Sequence, residues 1–252
     1  ELRSGRHVIH GGGGNDMIDG GNGKDDLYGD AGDDQVFGGN GEDTLHGGAG
    51  NDLVSGGSND PGDKDNSVDH IYGDAGDDEL LGLGGADDLH GGDGNDCLHG
   101  GSGGDVFDGG AGNDVFGDIE NEDLKTGSLD GGTGDDIAVM RLLSDFRGDK
   151  GDAVHVHNME VLDFTGDQNE NAPGTQGTTI SLDADSVLSM TDDDNVLFLQ
   201  GDDQDTLSLV GTWTPGGTNL LGSDGQHYDV YTATATGGQT VTLYVDTDIP
   251  TT

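Results

Sequence analysis

Aspartate recurs at one fixed place in a short glycine-framed unit: "GGNGEDTLH", residues 38–46, runs directly into "GGAGND". Aligned on their first glycine, units begin at Gly11, Gly20, Gly29, Gly38, Gly47, Gly56, Gly73, Gly82, Gly91, Gly100 and Gly109, and "GGTGDDIAV" from Gly131 adds another. The sixth place holds Asp16, Asp25, Asp34, Asp43, Asp52, Asp69, Asp78, Asp87, Asp96, Asp105 and Asp114, then Asp136. A carboxylate delivered at the end of a carbonyl-rich turn is a hard oxygen ligand, which is the chemistry of cation binding.

The rest of the unit positions that ligand. Glycine permits positive φ and close backbone approach, so the first six residues form a tight turn whose carbonyls converge. The last three form a minimal strand with one residue facing inward. That eighth place reads Ile18, Leu27, Val36, Leu45, Val54, Ile71, Leu80, Leu89, Leu98, Phe107 and Phe116, with Ile137 assigned to the last unit. Two nine-residue units close a coil of 18 residues, and stacked coils lie about 4.8 Å apart. Aspartates of odd-numbered units therefore line one edge and those of even-numbered units the other, and along each edge they repel one another unless a cation sits between them. Calcium suits such a cage, because it takes six to eight oxygens in flexible geometry while magnesium demands a strict octahedron.

Composition points the same way. The 252 residues carry 52 acids against 8 bases, a formal charge of −44, with 29 % hydrophobic and 5 % aromatic content. Such a chain repels itself too strongly to compact unaided. Nucleic acid and anionic membranes are disfavoured partners, and no stretch approaches the ~18 apolar residues of a membrane span. Cys97 is the only cysteine, so no intrachain disulfide forms. The chain begins at Glu1 with no charged and apolar leader, the pattern of a fragment or of export by another signal.

The units resemble the GGxGxDxUx nonapeptide of the RTX, or haemolysin-type, calcium-binding proteins over residues 11–139. The resemblance implies an all-β fold, a parallel β-roll spanning 1–139, followed by a β-rich capping module over 140–252. It implies calcium held by the twelve aspartates together with turn carbonyls of Gly11, Gly20, Gly29, Gly38, Gly47, Gly73, Gly82, Gly91, Gly100 and Gly109. The eleven units that begin at Gly11 to Gly109 place six turns on one edge and five on the other, hence five and four gaps and roughly nine ions. "NMEVLDFTGDQN" and the strands from "ISLDADSVL" to "YDVYTA" are similar to modules near the C-termini of RTX adhesins and other type I secretion substrates. A secreted or surface location in a Gram-negative bacterium, a type I exporter as partner and a non-enzymatic role follow by implication. The chain is then a calcium-triggered folding module of an adhesin-like protein; the alternative is the non-catalytic tail of a secreted metalloprotease, lipase or polysaccharide-modifying enzyme.

Several places depart from the pattern. Residues 2–10 are a worn first unit with His7 where the aspartate belongs. Asp30, Asp74 and Leu83 replace the second glycine, an insertion at 58–66 brings Asp60, Asp63 and Asp65, and 118–130 is irregular. "GGSGG" at 100–104 matches a hydrolase elbow, but Ser102 is the free third place of a turn without the flanking strand and helix. His10, His46, His90 and His99 fall at the ninth place, on the flanks of the roll; His90 and His99 face opposite ways, which argues against a shared zinc or nickel ion. "VHVH" at 154–157 and "TATAT" at 232–236 read as strands with an exposed face, and Trp213, Tyr228 and Tyr231 as core or rim of the second half.

Overall fold

The computed structural model describes residues 5–58, 66–119, 123–140, 146–148, 156–163, 179–191, 195–201, 206–222, 226–249 and 251. They divide into two compact units, Glu1–Asp136 and Ile137–Thr252. The protein is all-β, with helix among the described residues only at Asp123–Thr126 and Ala184–Met190.

In the first unit the repeats give β1 (Val8–Gly13), β2 (Met17–Asn22), β3 (Asp26–Ala31), β4 (Gln35–Asn40), β5 (Thr44–Ala49), β6 (Leu53–Ser55), β7 (His70–Ala75), β8 (Glu79–Leu81), β9 (Asp88–Asp93), β10 (Cys97–His99), β11 (Val106–Ala111), β12 (Val115–Ile119) and β13 (Ser128–Thr133). Odd strands pair in parallel in one sheet and even strands in the other, each strand with its equivalent one coil later. The register shows the coil length, with Leu27 opposite Leu45 and Ile18 opposite Val36. This is the parallel β-roll expected from the nine-residue spacing.

One side chain per unit fills the space between the sheets. Leu27, Val36, Leu45, Val54, Ile71, Leu80, Leu89, Leu98 and Phe116 have no exposed surface, and Phe107 packs edge-on against Phe116 at 6.0 Å between centroids. In the last unit the inward residue is Ala138, which is fully buried, whereas Ile137 is half-buried. The assignment of Ile137 to the eighth place is therefore corrected: it occupies the seventh place, and strand alternation turns it away from the core.

Inserted residues leave the strands in register. Leu45 pairs with Ile71 across the long insertion; Asp60, Asp63 and Asp65 lie outside the described residues. The stretch 118–130, irregular in sequence, proves to be a further unit. Asp123 takes the sixth place, the helical turn Asp123–Thr126 holds the extra residues, and Leu129 returns opposite Phe107, 1 % exposed.

The second glycine of the turn is left-handed at Gly12, Gly21, Gly39, Gly48, Gly92, Gly101, Gly110 and Gly132, from φ 89° at Gly21 to 117° at Gly92, and Asp30, Asp74 and Leu83 adopt φ of 74°, 73° and 72°. Leu83 is also 44 % exposed, so it bears the strain with little burial in return. Leu83→Gly is expected to stabilise the roll by about 1 kcal/mol, read as a rise in the thermal midpoint.

The second unit has its own core. Ile137–Met140, Val161–Asp163, Val196–Gln200 and Thr240–Asp246 pair in parallel order, and His227–Thr234 and Thr214–Leu221 add antiparallel strands. A second sheet joins Phe146–Gly148, Thr179–Leu182 and Thr206–Leu209. Tyr228 is buried with Leu197, Leu199 and Leu243, while Trp213 and Tyr231 sit at the rim. Thr234 and Thr236 are exposed and alternate with buried Ala233 and Ala235.

Candidate metal-binding edges

The repeat aspartates form two ladders. Along one edge the backbone N–H of Asp16 donates to Oδ1 of Asp34 (2.7 Å), Asp34 to Asp52 (2.7 Å), Asp52 to Asp78 (2.7 Å), Asp78 to Asp96 (2.9 Å), Asp96 to Asp114 (2.8 Å) and Asp114 to Asp136 (2.8 Å). Along the other, His7 donates to Asp25 (2.7 Å), Asp25 to Asp43 (2.7 Å), Asp43 to Asp69 (2.8 Å), Asp69 to Asp87 (2.9 Å), Asp87 to Asp105 (2.8 Å) and Asp105 to Asp123 (2.9 Å). Every sixth-place residue found in the sequence is thus in one of two columns. Asp123 was missed, because its unit has neither the glycine pair nor the nine-residue length; its spacing of 18 from Asp105 was the available signal.

These carboxylates are buried. Apart from Asp16, which is half-buried, none is more than 3 % exposed. In Asp16, Asp25, Asp34, Asp52, Asp78, Asp96 and Asp114 one oxygen, Oδ2, is enclosed without a hydrogen-bond partner. A buried acceptor left in that state is costly, the more so when charged.

The first-place glycines explain where those oxygens point. A Cβ on Gly20 would lie 2.6 Å from the Gly38 carbonyl oxygen and 2.8 Å from Asp25 Oδ2; on Gly11 it would meet Gly29 O at 2.7 Å and Asp16 Oδ2 at 2.8 Å. None of these first-place glycines needs positive φ. Glycine is required because a carboxylate oxygen and a carbonyl oxygen of the next coil converge there. The same convergence brings in the carbonyls of Gly47, Gly73, Gly82, Gly91, Gly100 and Gly109, and those of Gly56 and Gly131, which the sequence reading did not include. Buried oxygens of this kind, without nitrogen or sulfur, fit calcium. Among the described residues no three His, Cys, Asp or Glu side chains gather as a group that could hold a metal ion, so a cation at an edge would draw on backbone carbonyls beside its aspartates.

A second, exposed ladder runs outside the first on the Asp16 edge, in the opposite sense. Asp33 N–H donates to Asn15 Oδ1 (3.1 Å), Asn51 to Asp33 (3.1 Å), Asp77 to Asn51 (3.2 Å), Asn95 to Asp77 (2.8 Å) and Asn113 to Asn95 (2.9 Å). Side chains thereby satisfy these fifth-place N–H groups of the turns.

The ninth-place histidines separate as their positions require. His10, Tyr28, His46, Tyr72 and His90 stack face to face on one sheet at 4.6–5.0 Å, and His99, on the other sheet, contacts Cys97 Sγ through Nε2 (3.3 Å). His155 lies outside the described residues, and His157 is exposed. Ser102 pairs through its backbone with Leu83 and Gly85, as a turn residue.

A family model for the RTX calcium-binding nonapeptide repeat matches the chain in four copies, at residues 5–36, 28–60, 65–98 and 81–116. Residues 5–60 and 65–116 thus carry RTX calcium-binding nonapeptide repeats. These repeats are therefore a calcium-binding module, of a kind that is typically non-catalytic and typically found in proteins secreted by Gram-negative bacteria. No curated protein matches the chain. No helix among its described residues is long and apolar enough to cross a membrane.

Burial, opposed in part by the backbone hydrogen bond and reinforced by neighbouring carboxylates, raises Asp78 to about 7 and Asp96 and Asp136 to about 6, and it raises Asp52 and Asp114 as well. A carboxyl raised in the fold favours the folded state at low pH, and that contribution is lost as pH climbs through the raised value. Calcium must displace those protons. Two outcomes are expected. The calcium concentration at half-saturation should rise several-fold between pH 8 and pH 5.5, followed by isothermal titration. Gly20→Ala should weaken calcium uptake at least tenfold at its own gap, whereas Gly13→Ala, whose Cβ meets nothing within 4 Å, should leave it unchanged.

Proposed function

We propose that this chain is a calcium-triggered folding module of a secreted or surface RTX protein, itself without catalytic activity. The observation that carries the reading is the pair of buried carboxylate columns. Successive aspartates on each edge are one coil apart, enclosed, and joined by hydrogen bonds that occupy only one oxygen of the seven whose Oδ2 atoms are enclosed without a partner. Bound calcium would supply the positive charge that lets both carboxylates of a gap stay ionised. The twelve aspartates, with the converging first-place carbonyls, would hold it. The twelve aspartates leave gaps for about ten ions, one more than the count of roughly nine from the eleven units before Gly131, because Asp136 adds a rung.

The cages exist only when two coils are stacked, so the binding free energy adds directly to folding, and stability rises with calcium by mass action. With a charge of −44 the calcium-free chain is expected to be unfolded where free calcium is scarce, a state suited to passage through a type I exporter, and to fold outside. Calcium at about 10⁻⁴ to 10⁻³ M, the range of extracellular modules, would then complete the roll. The β-rich second unit, whose sequence is similar to the ends of RTX adhesins, favours an adhesin-like parent over a secreted enzyme.

Far-ultraviolet circular dichroism of the chelator-treated chain during calcium titration tests this, with magnesium in parallel. A cooperative coil-to-β transition with calcium alone is expected. A roll already folded in chelator, or folded equally by magnesium, overturns the trigger.

A further inference from the structure

The first coil of the roll has a neighbour on one side only. Among the described residues β1 and β2 are the terminal strands of their sheets, each paired along a single edge. The inward side chain Ile9 is half-buried, whereas Leu27 and Leu45, its equivalents in the next two coils, have no exposed surface. Val8, at 62 %, and Met17, at 67 %, are the most exposed large apolar side chains of this unit, so the roll's uncovered apolar surface gathers at this end. We propose that the first coil is a self-association surface, on which a second copy of the chain stacks end to end about a twofold axis. The inference concerns the stacking face and holds whichever ion fills the edges.

The backbone of the first coil is shaped to take a neighbour. In the coil behind it the N–H groups of Asp26 and Gln35 donate to the carbonyls of His7 and Asp16, at 2.9 Å each. Val8 and Met17 stand at the equivalent places, so their N–H groups face the open end, and such unpaired edge groups are a template for another strand. The turn is also clear of side chains. A Cβ on Gly48 or Gly50 would meet the Asp30 or Gly32 carbonyl of the preceding coil at 2.3 or 2.2 Å, but one on Gly12, Gly13 or Gly14 meets nothing within 4 Å. The run "GGGG" at 11–14 therefore leaves room for a second backbone to approach closely.

Charge selects the occupant and its orientation. Residues 5–22 hold Arg6 against Asp16 and Asp19, while residues 23–40 hold Lys24 against five aspartates, so the repulsion between two copies of this acidic chain is eased at the first coil. Within that coil the signs are separated. The chain enters at the edge that carries Arg6 and His7 and crosses on β1 to the edge that carries Asp16. A twofold axis along the strands would set Asp16 over its own copy. An axis perpendicular to the sheets instead pairs β1 with β1 and β2 with β2 in antiparallel sense, and sets the Asp16 edge of each copy over the Arg6 edge of the other. That single arrangement satisfies the strand edges and the charges together, as an isologous contact requires. It also closes the core at Ile9 and Ile18.

Sedimentation of the full chain in saturating calcium tests the proposal, with circular dichroism to establish that each variant folds. The wild type is expected to double in mass as its concentration rises. Val8→Glu combined with Met17→Glu, at two exposed side chains, is expected to abolish the doubling, whereas Val68→Glu combined with Val210→Glu, at exposed apolar residues elsewhere, is expected to keep it. A wild type that stays monomeric, a dimer that survives the first pair, or one lost equally with the second pair overturns the proposal. Should the first pair not fold, Arg6→Glu is expected to weaken association by about tenfold, because it sets like charges across the axis. Unchanged association in that variant overturns the proposal as well.

Discussion

The structure depends on the confinement of like charges. Each edge of the roll carries a column of carboxylates one coil apart and withdrawn from water. Two ionised carboxylates at that separation repel, and the repulsion strengthens as solvent is removed. The core set against it is thin, one aliphatic or aromatic side chain per nine residues. On the proposed reading, cations or protons that neutralise the edges stabilise the roll, so that the fold and its ligand are parts of one equilibrium.

The glycine pattern follows from that constraint, for two separate reasons. The second place needs a left-handed backbone, and Asp30, Asp74 and Leu83 show that other residues tolerate it at a cost. The first place has an ordinary backbone but no room, because a carboxylate and a neighbouring carbonyl oxygen converge on the point where a side chain would begin. The substitutions accepted at the second place and the constancy of the first among the glycine-started units are therefore both explained by geometry.

The turns absorb irregularity and the strands do not. Eight extra residues before Asp69 and four after Asp123 lengthen single turns, yet Ile71 and Leu129 still lie opposite Leu45 and Phe107. A slip of one residue would turn the inward side chain outward and move the aspartate off its column, so core and edge jointly fix the register. On one flank the stack from His10 to His90 continues across the longer insertion, holding the same alignment from outside.

Sequence alone determined the parallel roll, its two columns and the oxygen character of the sites, because strict nine-residue periodicity carries all three. It could not reveal Asp123, whose unit lacks the glycines, since the position depends on where the chain re-enters the sheet after a helical turn. It misplaced Ile137 by one residue, a displacement that only alternation against the packed core corrects. It also did not anticipate the Asn and Asp ladder at the fifth place or the stacking of His10, Tyr28, His46, Tyr72 and His90, because these join residues a whole coil apart. Periodicity fixes what every unit shares; the tertiary structure decides which neighbours each unit meets, because contacts between coils exist only once the coils are stacked.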